Sequence, residues 1–493
     1  MMLEQITVAT ASGPVSGRSK DGAWLFAGIP FAAPPLEDLR FKPPQPHPGW
    51  SAPYPAMKFG PAAPQVSGGG LTDSAKVRWS EDCLTLNIST PACDDQARAV
   101  LVWIHGGGYR TGQGSIPWYN GARFSRNGDI VVVSINYRLG ALGFTDLSHL
   151  GDAYALSGVC GLLDQIAALR WVQENIAHFG GDPRRVTIAG ESAGGFSVAT
   201  LLGCPQAQDL FQRAIPQSGA AHHTLPPTAA RKVASHFLQE LGYDDEVALS
   251  AVAVEDILAA QTATIKHFEG PAGAQTSLGV AVSAFYPSHG NALLPEDPLT
   301  AIGTGCGSQI PVLTGTNTHE TSLWGYGQVN AEKLQRMLAG YGAEAVLPTY
   351  QSAHPQADAE ELLIAITTDH MFRIPAIRLA EARWPHTADT WMYLFNWHSR
   401  AFDGRLKATH ALEIPFAFDN LDKAGVDVFI GPGERPQAVA TDMHRVWTQF
   451  INGAAPDWAP YSREQRCTRL FDTEPAVVDD PASAERKAWD GLR

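Results

Sequence analysis

Cysteine is scarce in this chain, with six residues among 493. None of the six belongs to a CxxC pair, and their spacing does not match a zinc site. A disulfide scaffold needs much denser cysteine, so we interpret these residues as free thiols and expect a reducing, cytoplasmic location. They are Cys83, Cys93, Cys160, Cys204, Cys306 and Cys467.

Long apolar runs and basic runs are also lacking. The longest strongly apolar stretch lies around Ile130–Ile135, well short of the roughly 20 residues that span a membrane. Met1–Gly17 has neither a basic start nor an apolar core, so it does not resemble a secretory signal. Acidic residues outnumber basic ones by 50 to 36, which gives a net charge of −14. Such a surface repels phosphate groups, so we expect no nucleic-acid and no membrane partner.

The chain does contain an alternation of strand and helix patterns. Ala99–Ile104 and Ile130–Asn136 are continuous apolar runs rich in β-branched residues, which is typical of buried parallel strands. Gly161–Phe179 has helical periodicity and stops at a Gly-Gly pair, before a strand at Val186–Ala189 and another helix. This order predicts an α/β fold, and without a linker-like tract we expect one domain over 1–493. Further helices, including insertions that roof the site, are predicted at about 228–265, 331–340, 358–382 and 437–452.

The first chemical motif is Gly190–Gly194, which fits the pattern G-x-S-x-G. It lies between a predicted strand and a predicted helix, which is the context of a nucleophile elbow. In such a turn the backbone of Ser192 is strained, and its hydroxyl is lifted to the positive end of the following helix. The bare pattern also occurs by chance, but the strand–turn–helix context favours a catalytic serine.

The second motif is His105–Gly108, directly after the Ala99–Ile104 strand. Acyl transfer creates an oxyanion, and one preorganised backbone N–H donor is worth about 3–4 kcal/mol to its stabilisation. A plain glycine-rich turn is the alternative interpretation. The two motifs occur in the order that the hydrolase fold requires, so together they predict acyl transfer by Ser192.

Longer segments of the chain resemble the type-B carboxylesterase family, which includes cholinesterases, bacterial para-nitrobenzyl esterase-like enzymes and some lipases. The resemblance covers nearly the whole chain. It implies an α/β-hydrolase fold with a mostly parallel sheet flanked by helices, and a serine esterase that needs no cofactor. The segments that carry it are Phe26–Ala32, Arg40-Phe41, Ser80–Leu84, Gly161–Gly195 and Asp480–Asp490.

The resemblance also implies the other catalytic residues. The family carries its acid after a strand that ends in Gly-x-Asn, which indicates Glu320, with His319 where Asp is usual. The family base precedes an acidic, Pro-Phe-containing stretch, which indicates His410. From residue types alone, His398 and His370 compete with His410. In these roles His410 takes the serine proton and Glu320 orients the imidazole.

Further positions take their roles from the same resemblance. Backbone N–H groups of Gly107, Gly108 and Ala193 would form the oxyanion hole. Supporting roles are implied for Glu191, Glu413 and an ion pair between Arg40 and Glu81. The implied substrate-binding residues are Tyr109, Leu323 and Trp324.

Three departures from the family bear on specificity and location. Cys83 has no upstream cysteine of the kind that secreted relatives pair with it, which favours an intracellular enzyme. The Gly68–Arg78 loop lacks the aromatic residue with which cholinesterases bind a quaternary ammonium, so we expect no choline specificity. Arg110 follows the glycine motif and is interpreted as a solvated or salt-bridged residue, with contact to an anionic substrate as the alternative. We therefore expect small, neutral carboxylic esters as substrates.

Two alternative functions remain open from sequence. An amide, carbamate or lactone hydrolase would use the same triad, and a non-catalytic binding protein can share the fold. Binding proteins of this kind lose the serine, whereas Ser192 is present here. We find no G-x-G-x-x-G after a strand and no H-E-x-x-H, so neither a dinucleotide nor a metal is expected. The expected assembly is a monomer or a small homo-oligomer.

Overall fold

The computed structural model describes residues 4–66, 77–243, 248–268 and 284–493. One sheet of thirteen strands runs through this part of the chain. The strands are β1 Gln5–Thr10, β2 Gly13–Lys20, β3 Ala23–Pro30, β4 Tyr54–Pro55, β5 Thr85–Thr90, β6 Arg98–Ile104, β7 Val131–Ile135, β8 Gly181–Glu191, β9 Arg213–Gln217, β10 Val312–Asn317, β11 Thr390–Phe395, β12 Cys467–Phe471 and β13 Ala476–Asp479.

The middle of the sheet is parallel and its two ends are antiparallel. The strand order is β1-β2-β3-β5-β7-β6-β8-β9-β10-β11-β12-β13, with β4 beside β2. Every pair from β7 to β12 in that order is parallel. The pairs from β1 to β7 in that order and the β12–β13 pair are antiparallel, and the short β4 pairs parallel with β2. The predicted mostly parallel sheet is thereby confirmed. Its parallel part places the carboxyl ends of seven strands along one edge, where α/β proteins build their sites.

Two apolar cores cover the two faces of the sheet, and β6 contributes to both. Val100, Val102 and Ile104 face one core, while Leu101 and Trp103 face the other. All five side chains are at most 1% exposed. Burial on both faces explains why this strand is a continuous apolar run in the sequence.

Helices pack on both faces of the sheet. Their bounds are Ala122–Gly128, Gly140–Phe144, Cys160–Asn175, Ala193–Leu202, Pro227–Leu241, Val254–Phe268, Pro298–Gly303, Ala331–Tyr341, Leu347–Ala353, Ala359–Thr368, Ile374–Arg383, Ile414–Ala417, Val426–Ile430, Gln437–Ile451 and Ser483–Ala488. One continuous run of helical turns, Asp152–Phe179, is long and apolar enough to cross a membrane, but 72% of its apolar window is buried inside the protein. That burial is the behaviour of a core helix.

The helix predicted at 358–382 is interrupted in the structure. Ala359–Thr368 and Ile374–Arg383 are α-helical, and Asp369–Arg373 between them forms a π-helical turn. Pro375 has no N–H to continue the α-helical ladder, and the N–H of Ile374 bonds to the carbonyl of Asp369 instead. One side chain of this turn, that of Phe372, packs beside the imidazole of His410.

Candidate active site

Ser192 lies in the sharp turn between β8 and the helix Ala193–Leu202. Its φ of 56° and ψ of −125° are unfavourable for a residue with a side chain. Its N–H donates to the carbonyl of Gln217 at 3.0 Å, which ties the turn to the end of β9. The serine side chain makes no capping hydrogen bond to the helix, so the hydroxyl is not used to stabilise the turn.

Glycines bring the serine turn and the His105–Gly108 loop into direct contact. A Cβ atom added to Gly194 would lie 2.0 Å from the carbonyl oxygen of Ile104. A Cβ added to Gly106 would lie 2.6 Å from the carbonyl oxygen of Glu191 and 3.1 Å from the Cβ of Ser192. The two motifs that were recognised separately in the sequence are therefore packed against each other without room for side chains.

Glu320 and His410 form a buried, hydrogen-bonded pair. His410 Nδ1 lies 2.6 Å from Glu320 Oε2, and the backbone N–H of His410 donates to the carbonyl of Glu320 at 3.0 Å. The other carboxylate oxygen, Oε1, accepts hydrogen bonds from the N–H of Asn317 at 2.8 Å and from the Ser218 hydroxyl at 2.5 Å. Glu320 is 0% exposed. Its carboxylate is thus fixed from both sides, which fixes the imidazole in turn.

The other ring nitrogen of His410 is turned toward the serine turn. Nε2 lies 3.2 Å from Oε1 of Glu191, the residue directly before Ser192. That Glu191 oxygen makes no hydrogen bond, so the contact is electrostatic and not aligned as a donor–acceptor pair. Nε2 therefore remains able to exchange a proton with a group beside Glu191.

A third carboxylate, that of Glu413, supports the Glu320–His410 pair through contacts with neighbouring strand ends. Glu413 Oε2 accepts a hydrogen bond from the Asn317 side chain at 2.7 Å, and Oε1 accepts one from the Gln217 side chain at 3.2 Å. Gln217 also accepts a hydrogen bond from the indole of Trp447 at 3.0 Å. The supporting role implied for Glu413 agrees with these contacts, since Glu413 holds the ends of β9 and β10.

Proton affinities in the site are shifted by burial and by the three carboxylates. Burial lowers the pKa of His410, but Glu191 and Glu320 outweigh it and raise this pKa to about 9. Burial raises the pKa of Glu191 to about 8, although His410 opposes the shift. Burial and then Glu320 raise the pKa of Glu413 to about 7. The imidazolium of His410 is therefore unusually well stabilised, as a proton acceptor beside a serine requires.

Two aromatic rings flank the imidazole of His410. The ring centroid of Phe372 lies 4.7 Å away and that of Trp324 lies 5.3 Å away. Phe372 is 1% exposed and comes from the π-helical turn, whereas Trp324 is 40% exposed. These two rings form an apolar wall of the site beside the imidazole of His410.

The three predicted substrate-binding residues differ in their exposure. Trp324 borders His410, and Leu323 is 39% exposed just before it. The substrate-binding role of Tyr109 stays a prediction: its side chain is 0% exposed, its ring packs 4.7 Å from Phe144, and its hydroxyl accepts from Ser197 at 3.2 Å. Tyr109 has a positive φ of 58°, and its side chain lies in the hydrophobic core.

Other predicted positions can also be located. Arg40 binds Glu81 through two hydrogen bonds of 2.6 and 2.8 Å, so the implied ion pair is present. His398 and His370 do not contact Glu320, in contrast to His410. All six cysteines are free thiols. Residues 68–76 of the loop used to argue against choline specificity lie outside the described residues.

Sequence reasoning missed Ser218, Asn317 and Phe372 as parts of the site. Ser218 follows β9 and Asn317 ends β10, so both lie at the carboxyl edge of the parallel sheet where Ser192 and Glu320 also lie. The signal that could have identified them is a polar residue at the end of each predicted strand. Phe372 gave no such signal, because its position depends on the π-helical turn.

Comparisons with known proteins agree with this geometry. The profile of the carboxylesterase family matches residues 4–487. The chain belongs to the carboxylesterase family. A para-nitrobenzyl esterase of Bacillus subtilis (strain 168) is 37% identical to this esterase over an alignment of 502 positions, which covers 99% of this chain and 98% of the relative. A phenmedipham hydrolase of Pseudarthrobacter oxydans is 35% identical over an alignment of 471 positions, which covers 92% of this chain and 91% of the relative.

Solved structures give the same result for the fold of the esterase. The crystal structure of a Geobacillus stearothermophilus carboxylesterase at pH 6.2 superposes with a TM-score of 0.86 at 36% identity, and covers 98% of this chain and 99% of that chain. A thermophilic para-nitrobenzyl esterase structure gives a TM-score of 0.86 with the same coverage. The fold is the α/β-hydrolase fold, and the protein is a carboxylic ester hydrolase.

Proposed function

We propose that the esterase hydrolyses small, neutral carboxylic esters through an acyl-enzyme on Ser192, with His410 as base and Glu320 as the acid that orients it. The observation that carries the proposal is the 2.6 Å contact between His410 Nδ1 and Glu320 Oε2, with Nε2 turned toward the serine turn. Glu320 holds the proton of the imidazole on Nδ1, so Nε2 is the nitrogen that accepts the serine proton.

The reaction then follows in two halves. Nε2 of His410 takes the proton of the Ser192 hydroxyl while Oγ attacks the ester carbon, and the carbonyl oxygen becomes an oxyanion. Backbone N–H groups of Gly107, Gly108 and Ala193 would stabilise that charge. As the intermediate collapses, His410 returns the proton to the departing alkoxide. In the second half, His410 takes a proton from water, which attacks the acyl-enzyme in the same way, and the carboxylic acid is released.

Neutral substrates are favoured by the surroundings of His410. The rings of Trp324 and Phe372 lie beside the imidazole, and apolar surfaces of this kind suit uncharged groups. The relatives include enzymes named for phenmedipham and for fumonisin B1, so a substrate panel should contain these compounds beside simple esters. Such a panel also separates ester hydrolysis from the amide, carbamate and lactone alternatives.

We also propose that the esterase works in the cytoplasm as a monomer or a small homo-oligomer. Six free thiols, all of them with a pKa raised by burial, support a reducing environment. Light scattering of the purified protein and fractionation of the producing cells would test the two parts separately.

A direct test of the nucleophile is labelling with an activated phosphonate ester followed by peptide mass spectrometry. We expect one adduct, on Ser192, and we expect Ser192→Ala to lose the adduct and about 10⁴- to 10⁶-fold in kcat. Ser197→Ala is the matched control, because it removes a buried hydroxyl from the same helix. It should keep the label. An adduct on another residue, or near-normal turnover by Ser192→Ala, would show the assignment to be wrong.

A further inference from the structure

The side chain of Gln65 is bound to the backbone of the loop that follows β6. Gln65 is 3% exposed, and its amide nitrogen donates to the carbonyl of Gly112 at 2.9 Å. Its amide oxygen accepts the N–H of Gly112 at 3.0 Å, and the same nitrogen also donates to the carbonyl of Ala63 at 3.0 Å. Gln65 therefore pairs with Gly112 as a neighbouring strand would, although 47 positions separate them in the chain.

Gly112 packs against the start of the glycine motif His105–Gly108. Its φ is 111°, and a Cβ atom added to it would lie 2.4 Å from the carbonyl oxygen of Gly106 and 2.4 Å from Nδ1 of His105. This separation leaves no room for a side chain, so the two backbone segments are in direct contact. A shift of Gly112 therefore changes the packing of Gly106.

The carbonyl groups of Gly106 and Gly107 lie on the side of the loop that Thr111 and Gly112 occupy. The oxygen of Gly106 is the atom that Gly112 approaches, and the oxygen of Gly107 accepts the N–H of Thr111 at 3.0 Å. In a trans peptide unit the C=O of one residue and the N–H of the next point in opposite directions. The N–H groups of Gly107 and Gly108 therefore point away from this side. They are two of the donors proposed for the oxyanion.

Other groups hold the two ends of this loop. The hydroxyl of Tyr137 donates to the carbonyl of His105 at 2.7 Å, and the N–H of Gly114 donates to the side chain of Asn136 at 2.7 Å. Both contacts come from residues directly after β7, whereas Gln65 reaches the loop between its ends, from the segment before β5. Loss of the Gln65 amide would leave both ends attached and release the part that packs against the motif.

We propose that Gln65 is a positioning residue for the oxyanion hole. It holds Gly112 in place, and through it the peptide units that carry the N–H groups of Gly107 and Gly108. The inference rests on the proposed function, because the oxyanion exists only if an ester is attacked. This charge develops in the transition state and is absent from the bound ester. Loss of Gln65 therefore lowers kcat and leaves KM nearly unchanged.

The first arm of the test measures kcat and KM for 4-nitrophenyl butyrate in Gln65→Met, which keeps the length of the side chain and removes its hydrogen bonds. One complete oxyanion donor is worth about 10²- to 10³-fold in kcat, so we expect misaligned donors to cost about 10- to 100-fold, with KM within about threefold. Gln173→Met is the matched control and should keep kcat. Gln173 also donates two hydrogen bonds to backbone carbonyls, at 2.8 and 3.0 Å, and the first is to Pro183 near the start of β8.

The second arm measures the inhibition constant of a trifluoromethyl ketone. Its carbonyl oxygen becomes an oxyanion when Oγ of Ser192 adds to the carbonyl carbon and His410 takes the serine proton. We expect the affinity of the ketone to fall in Gln65→Met by about the same factor as kcat. The pH midpoint of kcat/KM should stay in place, because the charges around His410 are unchanged. A mere loss of folded enzyme would lower the apparent kcat without changing the inhibition constant.

If Gln65→Met does not fold, Gln65→Asn takes its place in both arms, since it keeps the amide and shortens the side chain by one methylene. The proposal is overturned if kcat stays within about threefold of that of the unsubstituted protein, or if kcat falls while the affinity for the ketone does not. Failure of the proposed function is distinct from both results. In that case the unsubstituted protein would neither hydrolyse the ester nor bind the ketone covalently.

Discussion

His410 lies between two buried carboxylates, and this arrangement affects its proton affinity more than burial does. Glu320 holds Nδ1 at 2.6 Å, while Glu191 lies 3.2 Å from Nε2. Both carboxylates stabilise the protonated ring, so the pKa of His410 rises to about 9 from an ordinary value near 6.5. A free imidazole would place the rise of activity at about pH 6.5–7. The structure moves the expected rise to higher pH.

Glu191→Gln should move the pH–activity rise to lower pH. Only neutral His410 accepts the serine proton, so activity appears as pH rises through the pKa of His410. Removing the charge of Glu191 lowers that pKa, and we expect the midpoint of kcat/KM to fall by about one unit or more. Glu332→Gln, at an 85% exposed carboxylate, is the control and should leave the midpoint in place. An unchanged midpoint in Glu191→Gln would contradict the electrostatic role.

The catalytic residues that the sequence predicted lie in or next to short, recognisable motifs. Ser192 stands in a five-residue motif, and Glu320 and His410 each stand next to a recognisable stretch. Ser218 and Phe372 were missed because their contacts join segments far apart in the chain: Ser218 bonds Glu320 across 102 positions. The complete burial of Tyr109 and its positive φ were likewise not predicted, because residue type alone indicates neither.

Among the elements, the serine turn depends most on tight packing. The helix Ala193–Leu202 can approach β6 only because Gly194 has no side chain. The same close contact places Ser192 beside the glycine loop that would bind the oxyanion. Stability and catalysis therefore depend on the same packing in this element.

Gly194→Ala should be strongly destabilising. Its new Cβ would lie 2.0 Å from the carbonyl oxygen of Ile104, and backbone on both sides leaves little room to move. We expect a loss of about 3 kcal/mol or more, together with loss of activity. Gly303→Ala is the matched control, because nothing lies within 4 Å of that position and it ends the helix Pro298–Gly303. Urea unfolding would compare them, and equal midpoints would contradict this account.

Strands and long helices were predicted close to their observed bounds, whereas their interruptions were not. Ala99–Ile104 was predicted and Arg98–Ile104 is observed, because burial on both faces leaves an apolar run. The predicted helix 358–382 contains the π-helical turn Asp369–Arg373. Helical periodicity averages over such a turn, so sequence alone gave no reason to place Phe372 in the site.

The protein carries a net charge of −14, but the substrate preference that we expect follows from local contacts. Long-range attraction of a cation is screened within roughly 8 Å at physiological salt, so it gives little selectivity. Trp324 and Phe372 beside His410 favour uncharged groups. The interpretation of 1–493 as one domain remains a prediction, and the continuous thirteen-stranded sheet supports it.

Neutral esters should therefore be preferred over choline esters. The measurement is kcat/KM for butyrylcholine against a neutral butyrate ester with a leaving group of similar pKa. We expect the neutral ester to be hydrolysed with the higher kcat/KM. A tenfold preference for butyrylcholine would refute the expectation. A preference for anionic esters that disappears in Arg110→Ala would assign recognition to Arg110.

The order of strands also bears on how the enzyme forms during synthesis. From β9 to β12 each strand lies beside the one that precedes it in the chain, so the sheet can extend outward as the polypeptide leaves the ribosome. Ser192 follows β8 and Glu320 follows β10, but His410 comes after β11. A nascent chain therefore holds the serine turn well before it holds the base. Ribosome-bound intermediates shorter than about 410 residues should be compact yet unreactive toward a phosphonate.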